Sequence, residues 1–517
     1  MAQRCTQQVG PAGAMIWLLV SLLIAIPAQS STPLTWGDLE PGAYGVGFKT
    51  IEQYDQTRSY QPKRDYFGSP VDSERARPVQ ACIWYPAVIP ADDPVMTFGE
   101  YLFPNPADDE FFRFVSAMQN RYNGFLIFLL SNDQGLALDA LSIEMAAVSQ
   151  ATPSPGQFPM IIYHGGIGRP FFDNFVLCEY LASYGFVVVS THSMGAFAID
   201  PEALPVDYEA IVRDRELAAT MARQLDFVDP ERTYVVGADL GCLTALSIIM
   251  RQTDVDALVL AGSWDIDGDW PALAQSSPGY NPTRITIPTL RLYLNEDDRT
   301  LDFLRDSCRY AERDLVHLPV DTLMRGLSCD WTIRMQMLES PEDQHPFPDY
   351  YQACRMIAQY LTACLDTATG FGAEAAAGPV QHIEAEALPP TWAQLVGIFR
   401  GRSADEAIAI YDRFNKAEPG IIPVDEAAMN MIGYGLLQAG QAAQSQQAFR
   451  INAEAYPRSS NVWDSYADGC LAAGDTAQAV VCYQTLLRVL PEDKVTNEQL
   501  KQTLQTNAEQ GLQRLKK

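Results

Sequence analysis

Positive charge is scarce in this sequence: 36 Lys and Arg stand against 64 Asp and Glu, a formal net charge of −28 over 517 residues. A field of that sign repels phosphate backbones and anionic headgroups alike, and no cationic stripe interrupts it. Nucleic acid and anionic membrane surfaces are therefore argued against as partners. A CxxC pair is also missing, which argues against a zinc knuckle or a thioredoxin-like site. Among the ten cysteines, Cys308/Cys329 and Cys354/Cys364 are candidate bridges by nearness in the chain. A calcium loop is suggested only in part. Asp265-Ile266-Asp267-Gly268-Asp269 alternates carboxylates, yet position twelve is Ser276 instead of a bidentate Glu. No metal and no cofactor is expected. Long apolar runs are lacking as well. The longest, Ala14–Ala28, has fifteen residues, short of the ~20 that a membrane-spanning helix needs. Preceded by Arg4 and followed by small residues, it reads as a secretory signal over 1–30. The expectation is a secreted or periplasmic protein with no transmembrane helix after signal removal.

Against these absences stands one well-marked stretch, Thr233 to Met250 (TYVV-GADLG-CLTALSIIM). A β-branched run meets Gly-x-Asp-x-Gly and passes at once into an apolar helical segment. That is the layout of a nucleophile elbow, a strand-to-helix turn so sharp that only glycine fits beside its apex. Serine is the usual apex residue, and here Asp239 takes its place.

Around the elbow, strands alternate with helices. Gly42–Ile51, Arg77–Ala87, Met160–Tyr163, Phe186–Ser190, Ala257–Ala261, Thr289–Leu294 and Leu315–Pro319 read as strands, with helices over Asn174–Tyr184 and Tyr208–Leu225. The pattern predicts an α/β domain over 31–367: a doubly wound, mostly parallel sheet with ligand-binding loops at the strand C-termini. Residues 98–150 read as a helical insertion or lid, with helices at Phe111–Gln119 and Leu136–Val148. Small residues from Ala368 suggest a linker over 368–391. Beyond it Leu437/Leu471, Gly440/Gly474, Ala443/Ala477, Phe449/Tyr483 and Pro457/Pro491 each lie thirty-four residues apart. This period predicts an all-α tetratricopeptide-repeat domain over 392–517, with a looser copy near Trp392.

Taken in order, RPVQACIWYPA, FPMIIYHGG, NFVLCEYLASYGFVVVSTHSMG and VVGADLG resemble the α/β-hydrolases, in particular the bacterial group near dienelactone hydrolases and platelet-activating-factor acetylhydrolases. The resemblance covers about Gly42 to Leu365 and implies several roles. An oxyanion hole would come from the His164-Gly165-Gly166 turn and from Leu240, and the triad acid would be Asp297 or Asp298. The triad histidine would lie in Val320–Ser328, where none is found; His317 and His345 stand nearest. An apex aspartate is the nucleophile of haloalkane dehalogenases and epoxide hydrolases, which usually show Trp next, whereas Leu240 follows here. Thr191-His192-Ser193-Met194-Gly195 looks like a second elbow, but it lacks the first glycine, and two prolines follow where a helix would begin.

Three readings follow. The domain is a degenerate hydrolase that binds a small-molecule or acyl-type ligand at the elbow. Or it is an active hydrolase of the ester, epoxide or haloalkane class. Or function lies in the repeat tail, which would hold a protein or peptide partner.

Overall fold

The computed structural model describes residues 32–516 except 61–74, 103–133, 168, 193–203, 252–253, 263–269, 295–298, 319–347, 366–379 and 402. Two compact units divide between Glu386 and Ala387.

The first unit is built on one sheet of eleven strands. A long hairpin, β1 (Gly45–Tyr60) and β2 (Arg75–Val88), opens the unit. The helices α1 (Phe98–Leu102) and α2 (Gln134–Leu141) and the short strands β3 (Ala147–Ser149) and β4 (Thr152–Pro153) come next. Then the α/β alternation begins: β5 (Phe158–His164), α3 (Phe175–Ser183), β6 (Val187–Ser190), α4 (Leu204–Ala222), β7 (Val228–Ala238) and α5 (Gly241–Arg251). It continues through β8 (Ala257–Ala261), α6 (Trp270–Gln275), β9 (Thr289–Tyr293), α7 (Arg299–Asp306), β10 (Arg313–His317), α8 (Pro348–Leu365) and β11 (Val380–Ile383). Across the sheet the order is β11-β10-β9-β8-β7-β5-β6-β2-β1-β3. From β10 to β6 the strands are parallel, with antiparallel neighbours β11 and β2 at the two ends of that run.

Apolar runs fill the middle of the parallel part of the sheet, Met160–Tyr163 in β5, Val187–Val189 in β6, Tyr234–Val236 in β7 and all of β8, because both faces are covered. Val188 of β6 packs with α3 and α8, while Val187 and Val189 pack with α4 and α5. After β5 the chain first steps outward to β6, then returns to the other side of β5 as β7. The crevice at that reversal, above the C-terminal ends of β5 and β7, is where open α/β sheets hold ligands. No described helix is long and apolar enough to cross a membrane.

Several expectations need correction. The helix read over Leu136–Val148 stops at Leu141, and Ala147–Ser149 pairs as a strand with β1. Part of the segment read as a linker is the edge strand β11, paired with β10. Cys354 and Cys364 lie ten residues apart on α8, about 15 Å along its axis, too far for the proposed bridge. Cys329, the helix read at Phe111–Gln119 and the signal lie outside the described residues.

A buried carboxylate ties the first unit together. Glu179 of α3 accepts from Trp36 Nε1 (3.1 Å), Tyr101 Oη (2.7 Å) and the amides of Ala146 (3.2 Å) and Ala147 (3.3 Å). Tyr101 and Ala146–Ala147 stand where residues 98–150 leave and rejoin the core. There Met96 also exchanges backbone hydrogen bonds with Met145 and Ala147. Burial pushes the Glu179 pKa up to about 7, although its four donors favour the anion.

The second unit is helical throughout its described length: α9 (Trp392–Gly401), α10 (Ala404–Ala417), α11 (Glu426–Gln438), α12 (Ala442–Ala455), α13 (Ser460–Ala473), α14 (Thr476–Val489) and α15 (Glu498–Leu515). From α11 on, each helix packs on the next, and α11, α13 and α15 also meet in sequence. Phe449 of α12 lies so close to Gly433 and Gly469 that a Cβ on either would sit 2.4 Å or 2.7 Å from its ring.

Removing the Glu179 acceptor leaves four donors without a partner, so Glu179→Leu is expected to cost about 3 kcal/mol in urea unfolding. Because the folded-state pKa of about 7 exceeds the ordinary 4.5, the native state keeps a proton that the unfolded chain releases. The contribution of this group is therefore greatest below about pH 4.5 and declines as pH rises towards 7. An unchanged midpoint, or a gap between wild type and variant that widens with rising pH, contradicts this assignment.

Candidate active site at the β7–α5 elbow

Two residues join β7 to α5, and the apex residue Asp239 has φ 49°. Gln150 is the only other described non-glycine residue with positive φ. Aspartate tolerates this left-handed region better than most residues. Main-chain bonds hold the turn, from Asp239 N to Ala261 O (2.8 Å) and from Cys242 N to Asp239 O (3.0 Å).

The neighbouring glycines are explained by space. A Cβ on Gly241 would stand 2.0 Å from the His164 carbonyl oxygen and 2.5 Å from that of Gly165. One on Gly262, just past β8, would stand 2.1 Å from Asp239 Oδ1. The start of α5 thus presses directly on the His164-Gly165-Gly166 turn, and the Asp239 carboxylate leans over the end of β8. Neither the Gly166 nor the Leu240 amide donates to a described residue. With α5 beginning beside them, these N–H groups suit partial negative charge.

The imidazoles are dispersed. His164 is fully buried, with Nδ1 2.9 Å from Thr244 Oγ1. Since that hydroxyl donates to Gly241 O at 3.0 Å, it accepts from His164, which places the ring proton on Nδ1 and leaves Nε2 without a partner among the described residues. Burial, and then the nearby Arg215 guanidinium, hold the His164 pKa well below its usual value, so the ring is neutral. Its side of the sheet is that of α4 and α5. His192 follows β6 and lies edge-on to Phe171 at 5.1 Å. Among the described residues neither ring nitrogen has a partner, and burial pushes its pKa down to about 4.

His317 closes β10, with Nε2 3.2 Å from Leu294 O and its ring stacked on Tyr293. Three strand spacings, about 14 Å, separate β10 from β7. His382 pairs with Asp314 at 2.8 Å on the β10–β11 edge. Asp297, Asp298, His345 and the carboxylates of 265–269 lie outside the described residues. Of the residues expected from the sequence, the structure brings together Asp239, Leu240, Gly165 and Gly166.

Two further residues support this edge. Arg291 of β9 is fully buried and donates to the carbonyls of Leu260 (3.2 Å), Leu292 (3.0 Å) and Gly262 (2.7 Å). It pins the exit of β8 beneath Asp239, and a charge inside the apolar run TLRLY was the available signal. Thr244, which sets the His164 tautomer, gave no comparable sign.

No protein-family model and no curated protein matches the chain. Among solved structures it is similar to a ferulic acid esterase from Streptomyces cinnamoneus, with a TM-score of 0.41 and 16% identity over 67% of this chain and 99% of that one. The mixed sheet, its reversal point and the strand–turn–helix at Asp239 are consistent with an α/β-hydrolase fold.

Contact at Gly241 is with main chain, which cannot move aside cheaply. Gly241→Ala is therefore expected to lose about 3 kcal/mol or more in chemical denaturation. Gly435→Ala, in the last turn of α11 with open space around it, is expected to gain up to about 0.5–1 kcal/mol. Equal effects of the two substitutions would contradict the packing argument.

Proposed function

We propose that this is an α/β-hydrolase-fold protein of the dienelactone hydrolase and acetylhydrolase-like type that has lost serine-hydrolase chemistry and binds a small-molecule or acyl-type ligand at the elbow. The observation that carries the reading is Asp239 at the left-handed apex, where such chemistry needs a hydroxyl. The described histidines support it. His164 is spent on Thr244, His192 is packed against Phe171, and His317 is engaged at the end of β9. An elbow with a carboxylate at its apex and N–H donors beside it can still hold a polar head group. The signal read over 1–30 assigns the mature chain to a secreted or periplasmic location.

A second reading keeps catalysis. Asp239 would attack carbon in an epoxide or haloalkane, breaking the ring C–O bond to leave a hydroxyl after protonation by water, or the carbon–halogen bond to release halide. Water would then hydrolyse the alkyl ester so formed on its carboxylate. The main-chain cradle and the Gly166 and Leu240 amides favour it, since binding alone does not require an oxyanion hole. For the second unit, a tetratricopeptide repeat holding a peptide partner is supported by the thirty-four-residue spacing and by helices that pack on their neighbours.

Purified protein is expected to leave p-nitrophenyl butyrate, an epoxide and a haloalkane uncleaved, both as wild type and as Asp239→Ser. Esterase activity appearing in Asp239→Ser would show that a competent base survives and would defeat the binding account. Epoxide or haloalkane turnover by wild type, lost at least ~1000-fold in Asp239→Asn, would establish the second reading in its place. For the repeats, a pull-down is expected to depend on residues 392–490 and to tolerate Asp239→Asn. Partner capture that needs the elbow instead would refute that assignment.

A further inference from the structure

Two thiols of the second unit are buried against each other. Cys470 stands in the last turn of α13 and Cys482 in the second turn of α14; both are wholly buried in one apolar cluster. The helices form a tight pair. Only Gly474, left-handed at φ 81°, and Asp475 separate them, and Asp475 caps α14 by accepting from Gln478 N at 3.0 Å. Hydrogen bonds hold the sulfurs in place. Gln446 of α12 donates through Nε2 to Cys470 Sγ (3.5 Å) and to Asp475 Oδ2 (3.0 Å), while Gln478 Nε2 reaches Cys482 Sγ at 3.8 Å.

The thiols also interact directly. The neighbouring Cys482 thiol draws the Cys470 pKa below the ordinary thiol value. The same contact, with burial, pushes Cys482 up. Cys470 is therefore the more readily ionised of the two and the natural attacking sulfur. They are the only cysteines between Ala387 and Lys517. No described group of three or more His, Cys, Asp or Glu side chains could hold a metal, so a zinc role has no support here.

We propose that Cys470 and Cys482 form a disulfide that clamps α13 to α14 when the protein meets a small oxidising disulfide. The step is thiol–disulfide exchange. The Cys470 thiolate attacks one sulfur of the external disulfide, and one thiolate leaves. Cys482 then gives up its proton, and its sulfur displaces the second thiolate as the protein S–S bond forms. The two protein thiols lose two electrons and two protons, and the external disulfide takes them up as two thiols. Because both sulfurs are buried, the exchange occurs while the α13–α14 pair is open or before it closes. An exported chain meets such oxidants; a reducing cytosol would keep the pair as thiols.

Both cysteines fall on one tryptic peptide, Ser459–Arg488, with no Lys or Arg between its ends. The test takes reduced full-length protein, incubates it with oxidised glutathione under native conditions, alkylates without reduction and maps the peptides. Expected is Ser459–Arg488 unalkylated and lighter by two hydrogens, its halves staying joined after cleavage at Asp475. The thermal midpoint of the second unit should rise by about 5 °C on oxidation, a shift that Cys482→Ala abolishes. Recovery of both cysteines alkylated, or as separate glutathione adducts, overturns the proposal. The wild-type map decides by itself if the variant does not fold.

Discussion

At Gly241 the elbow helix and the turn after β5 touch through main chain alone. With 2.0 Å between a notional Cβ and the His164 carbonyl oxygen, no side chain can be inserted. The contact sets where α5 begins, and therefore where the apex residue and the Leu240 amide stand relative to Gly165 and Gly166. None of this depends on the side chain at position 239. A backbone cradle of this kind keeps its shape when its chemistry changes, provided the new residue accepts a positive φ. Aspartate does, so the turn carries a carboxylate at its apex with its main-chain contacts intact. Arg291 extends the arrangement to the next strand by holding Gly262 where the carboxylate leans across it.

Much of this was legible from residue order. Strands covered on both faces write themselves as apolar runs, and ALVLA was placed to the residue. Asp239 was found through its flanking glycines, because a tight turn leaves few other choices. The failures have physical causes. Ile143, Met145 and Ala147 continue an apolar pattern beyond Leu141, but at a spacing of two, and that stretch leaves the helix and ends in β3. β4 and β11 are edge strands of two and four residues whose pairing is supplied by their neighbours rather than by a pattern of their own. His164 was placed at the oxyanion turn by its motif, yet its ring is directed by Thr244, eighty residues away. No local window contains that pair.

The second unit was easier to read for a different reason. In a stack of helices each element meets only its near neighbours, and a period such as the thirty-four-residue spacing read here is what that packing would leave in a sequence. Phe449 lying between Gly433 and Gly469 shows the rule at one point: a large ring on one helix requires small residues on the helices to either side. The sheet unit has no such period, and contacts such as Tyr351 Oη to Thr35 O join residues far apart in the chain.

The clasp around Glu179 has a consequence for how this architecture can vary. The chain passes outward at Met96 and inward at Met145, and the two sides of that neck are hydrogen-bonded to each other over a shared carboxylate. Phe98, Tyr101 and Leu102, just past the neck, belong to the core, and Tyr101 supplies one of the donors to Glu179. Changes of length confined to the stretch between Leu102 and Gln134 would leave the neck and these core residues in place, and such a neck is a natural place for relatives to diverge.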